Sequence, residues 1–138
     1  MPGKREYAVG RAYEFVLMKI LRDRGFYVVR TPASGRGTSS QKLPDLTAIR
    51  RRDGGSEVLL IEVKHFSRPR DVYLEKERFK QLMEFAERLG ARALLCVHFS
   101  PSTRIKCLDL KDYDWETPGY YVFDKRSFEE RGVDAASL

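Results

Sequence analysis

The sequence predicts an α/β fold in which a mixed central β-sheet is flanked by α-helices. Two stretches with helical periodicity enclose three short β-rich runs. A nearly uniform apolar run at residues 91–99 follows the second helix, as expected for a strand that is covered on both faces. The order helix, strand, strand, strand, helix, strand, strand suits one sheet packed between helices. At 138 residues we expect a single domain, with a loose lead-in over residues 1–6.

Both helices are predicted from apolar residues that recur at three- and four-residue steps. The first spans about residues 7–24 and ends at Gly25, a typical stop signal. The second spans about residues 74–89 and ends at Gly90. Glu14 lies on the edge of the first apolar stripe, so we expect its carboxylate to face a cleft rather than open water.

The strands are predicted from short β-rich runs bounded by turn residues. The first covers residues 26–30, and a polar loop with two glycines follows at residues 33–42. Strands are then predicted at about 43–50 and 57–64, and the charged, glycine-containing segment between them indicates a hairpin. A last strand is predicted at 104–110, and the tail beyond it shows only a weak helical turn.

Composition bounds the class of protein. A hydrophobic fraction of 42% makes a disordered chain improbable, and no apolar run has the length of a signal peptide or membrane span. We therefore expect a soluble protein of the cytoplasm, associated with the nucleoid and with no membrane partner. A net charge of +6 favours a polyanion such as nucleic acid. Cys96 and Cys107 lack the spacing of a zinc site or disulfide framework and are expected to be buried free thiols.

Two carboxylates and a lysine lie at the ends of neighbouring predicted strands. Asp45 follows Pro44, and Glu62 and Lys64 project to one face because side chains alternate along a strand. Two adjacent carboxylates stay ionised easily only with a cation between them, and Mg²⁺ prefers such oxygen ligands. The backbone carbonyl of Val63 can complete the ligand set. Lys64 is then placed to orient or help deprotonate the attacking water and to neutralise charge developing on a phosphate.

Each part of this pattern also has an ordinary interpretation. Glu-x-Lys at a strand end is by itself typical of a solvated edge, and Pro-Asp is typical of a turn. An acidic residue on a first helix, such as Glu14, is usually on the surface. The combination in this order favours a metal-dependent phosphodiesterase site, in which Glu14 holds a second ion or its water shell.

The same residues resemble a known family. Residues 44–45 followed by 62–64 resemble the PD-(D/E)xK nuclease motif. More closely, residues 10–14, 21–35 and 43–48 are similar to archaeal Holliday junction resolvases, and residues 83–90 are similar to the second helix of that family. The resemblance extends over about residues 9–99 and does not include the tail.

The resemblance implies a restriction-endonuclease-like fold and a Mg²⁺-dependent endonuclease, with Mn²⁺ able to substitute. Its substrate would be four-way junction DNA, resolved by paired phosphodiester hydrolysis in homologous recombination and repair. The implied catalytic residues are Glu14, Asp45, Glu62, Lys64 and Ser34. The metal ligands are then Glu14, Asp45, Glu62 and Val63. Phe15 stands where the family often has a basic residue, which removes one expected phosphate contact.

Basic residues are concentrated on both sides of the motif. Any one of them alone is typical of a solvated surface, whereas their concentration here favours contacts with DNA phosphates, which position DNA without reading sequence. This concentration predicts DNA binding by Arg36, Lys42, Arg68, Arg70, Lys76 and Arg78, and the resemblance adds Arg30. His65 is expected to be a passive residue at a strand end, and His98 to pack within its strand.

A homodimer is expected, because a two-fold axis supplies two matching sites for the two cuts. The face of the second helix around Phe85 and Leu89, and the aromatic tail, are the candidate interfaces. No motif in the sequence identifies an accessory partner such as a sliding clamp.

Two other functions compete with the junction resolvase. One is another PD-(D/E)xK nuclease acting on linear or flapped DNA, and the other is a non-catalytic DNA-binding module of the same fold. The intact Asp45, Glu62 and Lys64 argue against the module. The resolvase-like residues 21–35 favour the junction as substrate over linear or flapped DNA.

Overall fold

The computed structural model describes residues 4–32 and 43–138. Within these residues the α-helices are α1 (Lys4–Asp23), α2 (Lys76–Leu89) and α3 (Lys125–Glu130). The strands are β1 (Tyr27–Arg30), β2 (Leu46–Arg52), β3 (Gly55–Phe66), β4 (Val72–Glu75), β5 (Arg92–Phe99), β6 (Ile105–Asp109), β7 (Trp115–Glu116), β8 (Tyr120–Phe123) and β9 (Val133–Asp134). Two 3₁₀ turns, Leu110–Asp112 and Ala135–Ser137, complete the described structure.

The strands form two sheets. The larger sheet has the order β1-β2-β3-β5-β6-β9, and the smaller has the order β4-β8-β7. Strands β3 and β5 run parallel, whereas the other neighbours are antiparallel. The prediction of a mixed sheet flanked by helices is therefore confirmed.

The β2–β3 connection is a two-residue hairpin turn. Arg52 pairs with Gly55, leaving Asp53 and Gly54 as the central residues. Both have positive φ, 33° and 81°, as a type I′ turn requires. Glycine adopts this conformation without steric cost, so the local sequence accounts for the hairpin that brings β2 and β3 together.

Two hydrophobic layers hold the large sheet between the helices. Leu59 and Ile61 of β3 face α1, where they pack with Leu17 and Leu21. The alternate residue Leu60 faces α2 and its buried side chains. Full burial of each such leucine or isoleucine contributes roughly 1.5–3 kcal/mol. The alternation also puts Glu62 and Lys64 on the α2 side of the sheet.

The tail builds structure that the sequence pattern did not predict. Strand β8 pairs with β4 and β7, and β9 becomes the edge strand beside β6. The ring of Tyr121 in β8 stacks on Phe79 of α2 with 4.0 Å between centroids. The weak helical turn expected in the tail is the short helix α3.

Three expectations need correction. Helix α1 already begins at Lys4, so the lead-in is not loose over residues 4–6, while residues 1–3 lie outside the described residues. The second helix begins at Lys76 because the preceding residues are paired in β4. Cys96 and Cys107 are not free thiols, since they lie opposite each other on β5 and β6 and form a disulfide.

No helix in the described parts of the chain combines the length and apolar character needed to cross a membrane.

Candidate active site

Asp45 lies immediately before β2, where the chain enters the large sheet. The backbone carbonyl of Asp45 accepts a hydrogen bond from Thr31 N at 2.9 Å, which ties it to the end of β1. Its side-chain Oδ2 accepts a second hydrogen bond from the backbone N–H of Val63 at 2.8 Å. The aspartate is therefore held against β3 at the residue that follows Glu62.

Burial and neighbouring carboxylates make ionisation of Asp45 unfavourable. Burial, followed by repulsion from Glu62, raises the pKa of Asp45 from 3.8 to about 7, and Glu14 adds to the increase. The Val63 hydrogen bond and Arg78 act in the opposite direction. Carboxylates from both faces of the sheet therefore act on Asp45, Glu14 from the α1 side and Glu62 from the α2 side. A cation bound at this point would relieve the repulsion among them.

Glu62 is buried on β3 and paired with an arginine from α2. Arg78 Nη2 lies 2.7 Å from Glu62 Oε1, and each side chain is only 11% exposed. The same nitrogen donates to the backbone carbonyl of Leu43 at 2.7 Å. Arg78 thereby links α2 both to Glu62 and to the segment that leads into Asp45.

Glu14 projects from α1 and is paired in a similar way. Its Oε1 accepts a hydrogen bond from Arg30 Nε at 2.9 Å, and both side chains are mostly buried. The guanidinium of Arg30 also lies over the exposed ring of Phe15, 5.3 Å from its centroid. The phenylalanine therefore packs against Arg30 at the position where a basic residue was expected.

Lys64 is half-buried on β3, two residues beyond Glu62. Its strand position puts its side chain on the same face as that of Glu62. Glu14, Asp45 and Glu62 are therefore close enough for electrostatic interaction, and Lys64 shares the sheet face of Glu62. Ser34, Arg36 and Lys42 lie outside the described residues.

The donor chemistry fits a hard divalent cation, but the carboxylates are not gathered around a point. Glu14, Asp45 and Glu62 supply oxygen donors of the kind that Mg²⁺ prefers. Among the described residues, no three acidic, histidine or cysteine side chains are grouped so that they could hold a metal ion. Two of the three carboxylates are instead bonded to Arg30 and Arg78. A metal bound to these glutamates would therefore share them with their arginine partners or compete with those partners.

The remaining predicted DNA-binding residues differ in exposure. Arg68 and Arg70 are exposed in the segment after β3, and Arg70 lies over the ring of Phe66. Lys76, at the start of α2, is half-buried and forms an ion pair of 3.0 Å with Glu116. Arg68 and Arg70 are accordingly the more accessible for DNA phosphates.

A stack of three rings next to the site was not anticipated. Tyr13 of α1 stacks on both His65 and His98, with centroid distances of 4.6 and 3.8 Å. The two histidines are joined through their Nδ1 atoms at 2.9 Å, and His98 Nε2 contacts the carbonyl of Ser102. Because a carbonyl only accepts, His98 Nε2 carries a proton, and in the neutral pair His65 Nδ1–H donates to His98 Nδ1.

The stack gives His65 a structural partner rather than the passive strand-end position expected for it. Burial, followed by the His98 charge, lowers the pKa of His65. The buried position expected for His98 is confirmed. The only signal for the pair is the parallel register that sets His65 beside His98, and a register is not visible in a single sequence.

Comparisons with known proteins find one family. A family model described as archaeal Holliday junction resolvase (Hjc) matches residues 5–138. Crossover junction endodeoxyribonuclease Hjc of Sulfurisphaera tokodaii is 34% identical over 129 residues, which are 94% of this chain and 84% of that protein. The Sulfolobus acidocaldarius protein of the same name is 30% identical over 129 residues, 94% and 85% of the two chains.

A third relative and a solved structure extend the comparison. Crossover junction endodeoxyribonuclease Hjc of Methanocaldococcus jannaschii is 31% identical over 124 residues, which are 89% of this chain and 81% of that protein. The structure of Archaeoglobus fulgidus Hjc, a Holliday junction resolvase, superposes with a TM-score of 0.77 at 26% identity. It covers 93% of this chain and 98% of the other.

Proposed function

Because the chain belongs to the archaeal Holliday junction resolvase family, we propose that it is an endodeoxyribonuclease that resolves four-way DNA junctions. The observation that carries the proposal is the buried arrangement of Asp45, hydrogen-bonded to Val63 beside Glu62. Acidic groups held close together at the end of two strands suit metal-assisted hydrolysis of a phosphodiester. In this proposal the whole chain is one nuclease domain. It acts on DNA in the cytoplasm, in association with the nucleoid.

The site requires Mg²⁺, or Mn²⁺ in its place, in this proposal. Glu14, Asp45, Glu62 and the backbone carbonyl of Val63 would hold it. When bound, such an ion supplies a Lewis acid for the phosphate and lowers the pKa of a water. A bound cation would favour the ionised form of Asp45, whose pKa is raised first by burial and then by repulsion from Glu62.

The remaining site residues act on the water and the phosphate. The ammonium of Lys64 orients the attacking water and neutralises the charge that develops on the phosphate oxygens. Arg30 keeps the Glu14 carboxylate in position through their 2.9 Å hydrogen bond. Ser34, outside the described residues, stays in the catalytic set on the strength of the family resemblance.

DNA binding is proposed for the basic residues around the site. Exposed Arg68 and Arg70 are suited to backbone phosphates, and each phosphate neutralised steepens the salt dependence of binding. Arg30, Lys76 and Arg78 are engaged by carboxylates in the structure, so phosphate contacts require exchange of partners. Arg36 and Lys42 are proposed from their place in the sequence alone.

Two cuts in one junction require two sites, and we assign them to a two-fold homodimer. The outer face of α2 supports this assignment, since Leu89 is 59% exposed and Phe85 is only partly buried. Exposed Tyr113 and Trp115 lie in the tail, the other candidate surface. Aromatic and aliphatic residues of this kind are typical of the centre of an interface.

The decisive experiment compares three substrates of matched sequence: a four-way junction, a flap and a linear duplex, each with and without Mg²⁺. With Mg²⁺ only, the wild type should cut two strands of the junction at symmetry-related positions. Asp45→Ala and Glu62→Ala should bind the junction without cutting it. Asp53→Asn, in the exposed hairpin turn, is the matched control and should cut normally. Equal cutting of the linear duplex would reject the resolvase. Binding without cutting by the wild type would leave a DNA-binding module.

A further inference from the structure

The pairing of Glu62 with Arg78 is unusual for a carboxylate expected to bind a metal ion. The bond is short, 2.7 Å, and both side chains are only 11% exposed. An exposed ion pair is easily exchanged for water, whereas a buried one persists until something replaces one partner. In the metal-free protein the charge of Glu62 is therefore already compensated by the protein itself.

Arg78 also contacts the chain that leads to the second predicted ligand. Its Nη2 atom carries two hydrogens, and the two contacts of that atom are Glu62 Oε1 and the carbonyl of Leu43. Leu43 lies two residues before Asp45. Arg78 Nη2 therefore contacts Glu62 directly and also the segment that leads into Asp45. Arg78 reaches them from the first turn of α2, a rigid support.

A divalent cation and this guanidinium compete for the same carboxylate. A cation bound to Glu62 would lie beside the positive charge of Arg78, and like charges at such short distances repel strongly where water is scarce. Binding of the ion to Glu62 therefore opposes the Arg78–Glu62 bond, although that bond engages only Oε1. A DNA phosphate at the same cleft is an anion that this guanidinium can bind in bidentate geometry.

We propose that Arg78 is a positioning residue that holds Glu62 in the metal-free enzyme and releases it when a DNA phosphate takes the guanidinium. Metal and DNA then bind cooperatively, because each removes one partner of the same ion pair. Linkage makes the effect reciprocal: DNA strengthens metal binding by the factor by which metal strengthens DNA binding. The proposal rests on the proposed function only in naming a DNA phosphate as the anion that takes Arg78. The competition between the metal ion and Arg78 for Glu62 does not require DNA.

The first test measures Mn²⁺ affinity without DNA, from the electron paramagnetic resonance signal of the free ion. Arg78→Gln should bind Mn²⁺ about tenfold more tightly than the wild type, a coupling of ordinary size. Arg78→Lys, which keeps the charge, should stay within about threefold of the wild type. Arg88→Gln removes an exposed arginine–glutamate pair from the same helix and should change nothing. Unchanged or weaker Mn²⁺ binding by Arg78→Gln would overturn the proposal.

The second test measures Ca²⁺ affinity by calorimetry with and without a four-way junction, after a gel shows that the strands stay intact. The junction should tighten Ca²⁺ binding by about tenfold in the wild type and less than twofold in Arg78→Gln. Equal tightening in both proteins overturns the exchange of partners. Absence of junction cleavage by the wild type with Mg²⁺ would reject the proposed function, while the DNA-free Mn²⁺ comparison would still decide the competition.

A third measurement uses the wild type and therefore does not depend on the folding of a variant. In the wild type, the guanidinium resonances of Arg78 should show slow proton exchange without metal, because the group is buried and bonded to Glu62. Adding Mg²⁺ and junction DNA together should move these resonances by changing the partner. The same resonances in both states would contradict the release of Glu62. Triple-resonance assignment of the wild type identifies the signals.

Discussion

The side chain of Asp45 and the backbone of Val63 are joined by a 2.8 Å hydrogen bond in which Oδ2 is the acceptor. The bond fixes one carboxylate at the residue directly after Glu62, although the two acids repel. The structure thus holds Asp45 where its charge is least favourable, which is a common property of residues whose function outweighs their cost in stability.

The first prediction concerns the pH dependence of stability without metal. The folded pKa of Asp45, about 7, exceeds the unfolded value of 3.8, so its stabilising effect is complete below pH 3.8 and is lost as pH rises through 7. Asp45→Asn removes the charge and should stabilise the metal-free protein at pH 8 by at most about 4 kcal/mol. Thermal unfolding of both proteins at pH 5 and pH 8 measures the difference.

The comparison cancels the opposite effect of His65. The lowered pKa of His65 makes stability fall as pH decreases below 6.5, and both proteins contain this residue. The advantage of Asp45→Asn should therefore grow between pH 5 and pH 8. An advantage that is equal at both pH values would show that Asp45 is ionised throughout.

The second prediction concerns Lys64. Lys64→Ala should keep junction affinity within about threefold but slow cleavage by roughly 10²–10³-fold, since it removes a charge that acts on the transition state. Single-turnover cleavage and fluorescence anisotropy separate the two quantities. Lys80→Ala, an exposed lysine on α2, is the control. Normal cleavage by Lys64→Ala would exclude the lysine from the chemistry.

The third prediction concerns the disulfide between Cys96 and Cys107. The bridge closes a loop with a sequence separation of 11. A loop of this length stabilises a fold by about 3 kcal/mol in the chain-entropy account. Reduction should therefore lower the melting temperature of the wild type, but not that of the Cys96→Ala/Cys107→Ala protein. Two reactive thiols in the unfolded, unreduced wild type would refute the bridge.

The fourth prediction concerns the dimer. Leu89→Asp should convert the protein from twice the chain mass to a monomer, because it puts a charge into the proposed apolar interface of α2. Light scattering after size exclusion measures the mass. The same variant should release singly nicked junctions instead of paired cuts, because the two sites no longer act together.

Tyr27→Asp provides the matched control for the interface. Tyr27 is 71% exposed on β1, which is an edge strand of the large sheet, whereas α2 contacts the interior strand β5. This variant should remain a dimer. Loss of the dimer in Tyr27→Asp but not in Leu89→Asp would transfer the interface to β1, and a monomeric wild type would reject the dimer itself.

Features set by neighbouring residues were predictable from the sequence. The Asp53-Gly54 turn defines its hairpin locally, and strand alternation puts Glu62 and Lys64 on one face without further information. The position of Glu14 on the edge of the first apolar stripe predicted that it faces a cleft, and the family resemblance supported its place in the site. Glu14, Asp45 and Glu62 lie close enough to interact electrostatically, and the catalytic roles assigned to them stay predictions.

Features set by the register between distant segments were not predictable. The disulfide depends on the exact pairing of Cys96 with Cys107 across β5 and β6. Strand β4 has only four residues and is recognisable only beside β8. The partner of Arg78 depends on where α2 begins, and β4 shifts that start. An arginine expected to contact DNA therefore proved to hold Glu62.

The small sheet connects the tail to the catalytic centre. Strand β4 runs directly into α2, and the backbone N–H of Lys76 donates to the carbonyl of Gly119 at 3.0 Å. The tail thus sets the position from which Arg78, two residues later, reaches Glu62. Selection for DNA hydrolysis would therefore also act on tail residues that position α2 without contacting a DNA phosphate. We therefore expect epistasis, in which changes at residues 119–121 are tolerated only with compensating changes at 76–78.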